Sequence, residues 1–157
     1  MPLNGEYETW NARANEEEQG NSILPAEKLA LIHKAALANC DAKDRLVDRQ
    51  ITDPRVCTFK TQSLRCSNNR EQENCLTVAQ IAVVDKLYSS PVAREGRRLY
   101  PGSQAIGSEL AWAGSSIGTN GMAPFAAQIS NSYLKYLAFP KSPPPSLDIL
   151  ILESICR

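Results

Sequence analysis

The segment Cys40-Asp-Ala-Lys-Asp-Arg-Leu-Val-Asp-Arg-Gln-Ile-Thr-Asp-Pro-Arg-Val-Cys57 decides how the rest of the chain is interpreted. It places three carboxylates, Asp41, Asp44 and Asp48, between two cysteines that are close enough in sequence to be bridged. Calcium takes about six to eight hard oxygen ligands, and carboxylates spaced every three or four residues can curl around one ion. The segment therefore predicts a small calcium loop stapled by a disulfide, with backbone carbonyls and water completing the shell.

The same spacing has a second interpretation. It also places the three aspartates on one face of a helix, where Asp41 would pair with Arg45 across one turn on an ordinary solvated surface. Spacing alone does not separate the two, because the pattern is not the Asp-x-Asp-x-Asp-Gly of an EF-hand.

Several short motifs occur in a fixed order along the chain. They are Ile-Leu-Pro-Ala-Glu-Lys-Leu at 23–29, Cys-Asp-Ala-x-Asp at 40–44, Asp-Pro-x-x-Cys at 53–57, Cys-Leu-Thr-x-x-Gln at 75–80, Tyr-Pro-Gly at 100–102 and Gly-Ser-Glu-Leu-Ala-Trp at 107–112. Their order and spacing, over about residues 20 to 140, resemble the tannase and feruloyl esterase family.

This resemblance implies a fold, an activity and a metal. Members of that family are serine esterases of the α/β-hydrolase fold, and the matching region is the lid domain over their catalytic site, which carries a structural calcium. The resemblance implies carboxylate ligands from Asp41, Asp44 and Asp48 and backbone oxygen ligands from Leu46 and Gln50.

Two arginines depart from the family pattern. Arg45 and Arg49 follow the second and third aspartates, where the family usually has glycine. Glycine permits backbone angles that arginine resists, and two cations beside the site oppose a third. We therefore expect both residues to weaken calcium binding.

The cysteines indicate an oxidising compartment. The resemblance implies the neighbouring pairs Cys40–Cys57 and Cys66–Cys75, each of which would close a short loop worth about 3 kcal/mol. The alternative is free buried thiols in a reducing cytosol. Cys156 is left over and is interpreted as incidental.

The charge balance excludes some partners. Lysine plus arginine equals aspartate plus glutamate at 17 each, so no net field attracts nucleic acid or an acidic membrane surface. No segment is long and apolar enough to span a bilayer. Family members are secreted, but the first residues of this chain lack a basic stretch followed by an apolar run, which predicts no signal peptide in it.

The chain is expected to form a helix-dominated α+β lid with short strands, as a fragment of an α/β-hydrolase-type esterase. Residues 1–22 show no apolar period and predict an irregular arm, 23–140 form the lid, and 141–157 form an aberrant tail. Leucine and isoleucine crowd residues 147–156, which would aggregate if exposed.

Three helices are predicted. Apolar periodicity indicates one from Pro25 to about Asn39, and Thr77 with Gln80 forms a capping box that begins the second. The third runs from Pro124 to about Phe139, with an inner face of Phe125, Ile129, Ser132, Tyr133, Tyr136 and Leu137.

The string Gly-x-Ser-x-Gly at 114–118 has the spacing of a nucleophile elbow. Such an elbow needs a preceding strand, an immediately following helix and a later histidine, and His33 is the only histidine in the chain. Ser116 is therefore rejected as a nucleophile, and His33 is predicted to be a packing or surface residue. The family's Cys-Ser-x-Gly-Gly and His-Cys motifs are absent, so no catalytic residue is assigned and the chain alone is predicted to be inactive.

The resemblance also indicates where a phenolic ester substrate would lie once a catalytic domain is present. The residues expected to face it are Trp112, Ser130, Asn131 and Tyr133, although Trp112 and Tyr133 equally suit core aromatics. Without that domain, the exposed lid face predicts self-association. The alternatives are a non-catalytic calcium-dependent binding module and a gene remnant without a selected function.

Overall fold

The computed structural model describes residues 2–18, 20–92, 96–100 and 104–138. Within these ranges the chain folds into α-helices joined by short helical turns. The α-helices are α1 (Pro2–Ala14), α2 (Leu29–Cys40), α3 (Val78–Tyr88) and α4 (Phe125–Tyr133). The 3-10 turns are Ala26–Lys28, Asp41–Asp44, Pro54–Val56, Thr61–Leu64 and Glu109–Trp112, and a π-helical segment, Leu134–Ala138, extends α4.

The expected short strands are not found in the described residues. Extended pairing there is limited to isolated bridges, such as Arg65 with Leu76 and Glu16 with Ser22. The α+β expectation is therefore corrected to a helix-rich fold. Among the same residues, no helix has the length and apolar character needed to cross a membrane.

The irregular arm predicted for residues 1–22 is wrong over most of its length, because α1 occupies Pro2–Ala14. This helix packs against α4 and also touches α3. Its contact with α4 includes a buried hydrogen bond of 2.8 Å between the hydroxyls of Thr9 and Ser130. Tertiary contact therefore fixes a helix that lacks an apolar period, as is common for helices in proteins.

One hydrophobic core joins α2, α3 and the segment that follows them. The start of α3 agrees with the predicted capping box: Gln80 N donates to the Thr77 side chain at 3.2 Å, and Thr77 N donates to the Gln80 side chain at 3.0 Å. The largest apolar side chains at the centre of the core are Leu24, Leu29, Ile32, Leu76, Ile81, Leu87, Trp112 and Ile117.

Both expected disulfides are present, joining Cys40 to Cys57 and Cys66 to Cys75. The second closes a surface loop that is also held by Lys28, whose side chain is buried. Lys28 Nζ donates to the carbonyl oxygens of Gln72 and Cys75, the latter at 3.1 Å. A buried ammonium is tolerated here because backbone oxygens replace the water it has lost.

The third predicted helix exists, but its inner face is different. Ala126, Ser130 and Leu134 are buried, each four residues from the next. Small side chains at the first two positions suit the close approach of α1. The bulky residues predicted to point inward are instead largely exposed, with Phe125 59% and Leu137 72% exposed.

An apolar outer face, called the outer face of α4 below, therefore lies on α4, its extension and the turn before α4. Its members are Met122, Phe125, Ile129, Tyr136 and Leu137. The predicted tail at 141–157, including Cys156, lies outside the described residues.

Candidate functional site

The Cys40–Cys57 loop has the backbone geometry of a glycine-containing turn at two positions occupied by arginine. Arg45 has a φ of 74° and Arg49 a φ of 66°, both in the left-handed region. Side chains with a Cβ adopt this conformation at a cost of about 1 kcal/mol or more. These are the two positions at which the resemblance implies glycine, and glycine would adopt the same angles without strain.

Each arginine lies in its own small turn, and the two turns are of the same kind. Leu46 N donates to Asp44 Oδ1 at 2.9 Å, and Gln50 N donates to Asp48 Oδ1 at 3.1 Å. An aspartate that accepts from the N–H two residues later forms an Asx-turn. The run Asp-Arg-Leu-Val-Asp-Arg-Gln thus folds as two consecutive copies of one turn, which rules out the single helix face considered from spacing.

Asp41 joins the start of the loop to its second turn. Its carboxylate is almost fully buried and accepts from Arg49 N at 3.1 and 3.2 Å and from Asp48 N at 3.3 Å. The Thr52 hydroxyl and then Leu46 N donate to Asp44, and these bonds hold the pKa of its carboxyl below the usual value.

The donor types in this loop suit calcium, but their arrangement here does not converge on an ion. Among the described residues, no three His, Cys, Asp or Glu side chains are grouped so that they could hold a metal. The carboxylates of Asp41, Asp44 and Asp48 instead accept from donors within the loop. Leu46 and Gln50 are exposed beside them.

Two of the four residues expected to face substrate are buried inside the chain. Trp112 is 1% exposed, donates from Nε1 to Ser108 Oγ at 3.0 Å and lies edge-on to Tyr88. Ser130 is 3% exposed at the contact with α1. Neither can reach a ligand on the surface, so both assignments are corrected to packing roles. Asn131 is exposed and Tyr133 is half-buried, and for these two the substrate role remains a prediction.

The Gly-x-Ser-x-Gly string is a turn rather than a nucleophile elbow. Ser116 is 3% exposed and its N–H donates to the carbonyl of Trp112 at 3.0 Å. The 3-10 turn Glu109–Trp112 precedes it where an elbow needs a strand, and α4 begins only at Phe125. Rejecting Ser116 as a nucleophile agrees with this geometry.

A buried polar cluster that the sequence did not indicate lies around Glu109, which is fully buried. Its Oε2 bonds to His33 Nδ1 at 2.8 Å, and its Oε1 accepts from Gly107 N at 2.6 Å and from the Tyr88 hydroxyl. Burial, followed by the bond to Glu109, raises the pKa of the Tyr88 phenol. The packing role predicted for His33 thus has a specific form, which is to tie α2 to the Glu109 turn.

The motif around Glu109 was visible in the sequence only as part of Gly-Ser-Glu-Leu-Ala-Trp. Nothing in that string marks the glutamate as buried, because carboxylates are usually exposed. Together these features define a helical, disulfide-bonded module whose only histidine is engaged by a buried carboxylate.

Comparison with known proteins identifies the family of this module. Residues 4–140 match the family described as tannase and feruloyl esterase. The chain therefore belongs to the tannase and feruloyl esterase family.

Similar proteins are much longer than this chain. An uncharacterised esterase from Xanthomonas campestris pv. campestris is 42% identical over 82 residues, which cover 52% of this chain and 14% of that protein. A probable feruloyl esterase B-2 from Aspergillus flavus is 39% identical over 80 residues, covering 51% of this chain and 15% of that protein.

Solved structures give the same result. Feruloyl esterase B from Aspergillus oryzae superposes with a TM-score of 0.69 at 26% identity, covering 86% of this chain and 27% of that one. The tannin acyl hydrolase from Aspergillus niger shares the fold with a TM-score of 0.65 at 17% identity, over 96% of this chain and 30% of that one. The chain therefore spans less than a third of these relatives.

Proposed function

We propose that this chain forms the lid part of a carboxylic ester hydrolase acting on esters of phenolic acids. One observation carries the proposal: the family match extends over residues 4–140, yet the chain covers only 27% of the feruloyl esterase B structure it resembles. The nucleophile and general base are then supplied by residues outside this sequence, since the single histidine is engaged by Glu109.

Ester hydrolysis assigns different roles to the catalytic part of the protein and to the lid. A serine hydroxyl activated by a histidine attacks the ester carbonyl, the alcohol leaves, and water hydrolyses the resulting acyl-enzyme. A lid contributes by covering the pocket and excluding water from it. In this proposal the chain orients the phenolic part of the substrate through Asn131 and Tyr133 on α4 and forms no covalent bond itself.

The outer face of α4 supports this role. Its bulky apolar side chains are exposed, with Tyr136 64% and Met122 65% exposed. Several bulky apolar side chains exposed on one short segment indicate a contact with another protein surface. We assign it to the catalytic part of the esterase, and we expect the isolated chain to self-associate through it, as sedimentation at increasing concentration would reveal.

The proposal extends to calcium and to secretion. The left-handed turns at Arg45 and Arg49 support a calcium loop. In this loop Asp41, Asp44 and Asp48 would turn from their present backbone donors to supply carboxylates, and Leu46 and Gln50 would supply carbonyl oxygens. The ion would stiffen the loop. The two disulfides support an oxidising, extracellular location.

A chimera tests the lid role. Residues 4–138 replace the matching segment of Aspergillus oryzae feruloyl esterase B, and hydrolysis of methyl ferulate is measured after folding is verified by circular dichroism. We expect activity to be retained, and to be lost when Phe125→Asp charges the outer face. Val56→Asp is the matched control, because Val56 is 57% and Phe125 59% exposed. A folded chimera without activity, or equal effects of the two substitutions, would contradict the lid role.

Calorimetry on the oxidised chain tests the calcium loop. The parent should bind calcium, and the Asp44→Ala, Asp48→Ala double variant should not. At free calcium a hundredfold above the dissociation constant, binding should add about 2.7 kcal/mol to the free energy of unfolding. Asp53→Ala is the control, because Asp53 lies in the same loop but is paired with Arg55 at 2.7 Å. If calorimetry detects no heat of calcium binding to the parent, the proposed calcium loop is wrong.

A further inference from the structure

We propose that a cavity beside the Cys40–Cys57 loop, called the aspartate loop below, binds a small aromatic acid that also carries a hydroxyl group. The cavity measures about 370 Å³, within the range of small-molecule sites. It lies between α2, the aspartate loop and the Glu109 turn, and its lining includes His33, Lys34, Leu37, Val47, Arg49 and Leu110. It is separate from the outer face of α4 and shares none of its residues.

One wall of the cavity is apolar and uncovered. Val47 is 81% exposed and Leu110 54% exposed, and both line the cavity with Leu37 and Ala38 of α2. Covering such side chains gains about 25 cal/mol for every Å² of apolar surface removed from water. A flat ring fits this wall better than a strongly hydrated ligand does.

The rim of the cavity is cationic. Lys34 and Arg49 both line it, and in the described parts of the chain neither has an ion-pair partner. Asp41 is the acidic residue in the lining, and its two oxygens already accept from the backbone N–H groups of Asp48 and Arg49. A ligand carboxylate would therefore meet two cations against the single carboxylate of Asp41, and charge-assisted hydrogen bonds from Lys34 and Arg49 are of the stronger kind.

His33 supplies the preference for a hydroxyl. Glu109 Oε2 lies 2.8 Å from His33 Nδ1 and so engages that ring nitrogen. Nε2 is the nitrogen left for a ligand in the cavity. A hydroxyl on the far side of the ligand's ring from its carboxylate would form a hydrogen bond with Nε2, because a hydroxyl can both donate and accept.

The site is a property of this chain and does not rest on the proposed ester hydrolase function. It is tested with 4-hydroxybenzoate on the oxidised chain, at fixed calcium and neutral pH. The imidazole resonances of His33 report binding without overlap, because the chain has a single histidine. We expect saturable shifts with a dissociation constant of about 1 mM, typical of a ligand that gains about 4 kcal/mol.

Two ligands and two variants make the test specific. The uncharged 4-hydroxybenzamide should bind about tenfold more weakly, and benzoate, which lacks the hydroxyl, several-fold more weakly. Arg49→Gly should weaken 4-hydroxybenzoate about tenfold while preserving the left-handed turn. Arg45→Gly is the matched control, because Arg45 has the same backbone conformation but does not line the cavity.

Lys34→Gln, on the surface of α2, should weaken binding in the same way as Arg49→Gly and guards against a loop-specific artefact. The proposal is overturned if His33 does not shift at about 20 mM 4-hydroxybenzoate, roughly twentyfold above the expected dissociation constant. It is also overturned if the amide binds as well as the acid, or if the Arg49→Gly and Arg45→Gly variants bind alike.

Discussion

Replacing Glu109 with leucine should be among the most damaging single changes in this fold. The carboxylate is fully buried and accepts from Gly107 N at 2.6 Å, from His33 Nδ1 and from the Tyr88 hydroxyl. Leucine fills much of the same space but accepts no hydrogen bond. The donors around it then lose their acceptor in a region from which water is excluded.

The size of the effect follows from those donors. A buried donor left without an acceptor costs about 1–3 kcal/mol. Gly107 N and the Tyr88 hydroxyl are left in this state, whereas His33, 19% exposed, turns partly to solvent. We therefore expect Glu109→Leu to lower the free energy of unfolding by about 3 kcal/mol, or to lower Tm by about 10 °C.

Glutamine at the same position should be far milder. Its amide oxygen can still accept from Gly107 and Tyr88, and its amide nitrogen can donate to the other tautomer of His33. We expect a loss of about 1 kcal/mol for Glu109→Gln, since one charge-assisted set of bonds becomes neutral. Glu27→Leu, at an exposed glutamate, is the control and should change stability by less than about 0.5 kcal/mol.

Urea unfolding followed by circular dichroism, with the disulfides intact, measures all of these variants. A loss below about 1 kcal/mol for Glu109→Leu would refute the reasoning, because it would mean that water or another group satisfies the donors. A glutamine variant as unstable as the leucine variant would refute the assigned hydrogen-bond pattern.

Other predictions concern the aspartate loop. Replacing Cys40 and Cys57 by alanine opens a loop with a sequence separation of 17 and should cost about 3 kcal/mol in thermal unfolding; an unchanged Tm would show that noncovalent contacts alone close the loop. Arg45→Gly should be more stable than Arg45→Ala by about 1 kcal/mol, since only glycine relieves the positive φ; equal stabilities would show that the turn relaxes. The pKa of Asp44 is lowered in the folded chain. Its contribution to the free energy of unfolding is therefore present above the pKa of the unfolded state and is lost as pH falls through the lower pKa of the folded state. An NMR titration of its carboxyl should therefore show a midpoint below that of an unperturbed aspartate, which moves upward in Thr52→Val, and an unmoved midpoint would contradict the assigned hydrogen bond.

Local chemistry made some elements predictable. The capping box at Thr77 and Gln80 needs only residues three apart, and α3 begins where it indicates. The two disulfides, which pair cysteines that are neighbours along the chain, were predicted from the resemblance of the chain to the family. Both features depend on short stretches of chain, which a sequence displays directly.

Other elements were fixed by partners distant in sequence. α1 lacks an apolar period and is ordered by packing against α4, more than a hundred residues later, as the contact of Thr9 with Ser130 shows. The face of α4 was misassigned for the same reason. Apolar periodicity identified a bulky face, Phe125 to Leu137, but α1 needs small residues, so the bulky face was left outward.

The candidate site divides in the same way. The positions of the loop aspartates and of the two glycine-like turns could be expected from family motifs and glycine chemistry, and Arg45 and Arg49 do adopt positive φ. The hydrogen bonds that direct those carboxylates toward backbone donors of the loop could not be expected from the sequence. The Glu109 cluster could not be expected either, because Glu109 lies 76 residues from His33 and 21 residues from Tyr88 in the sequence.

The buried Lys28 has a consequence for how the oxidised chain is reached. The chain has five cysteines, and the four that are bridged could pair among themselves in three ways, only one of which gives Cys40–Cys57 with Cys66–Cys75. The Lys28 ammonium group holds the carbonyls of Gln72 and Cys75 beside the start of α2 through hydrogen bonds that need no disulfide. We therefore expect Lys28 to favour the Cys66–Cys75 pair during oxidative folding.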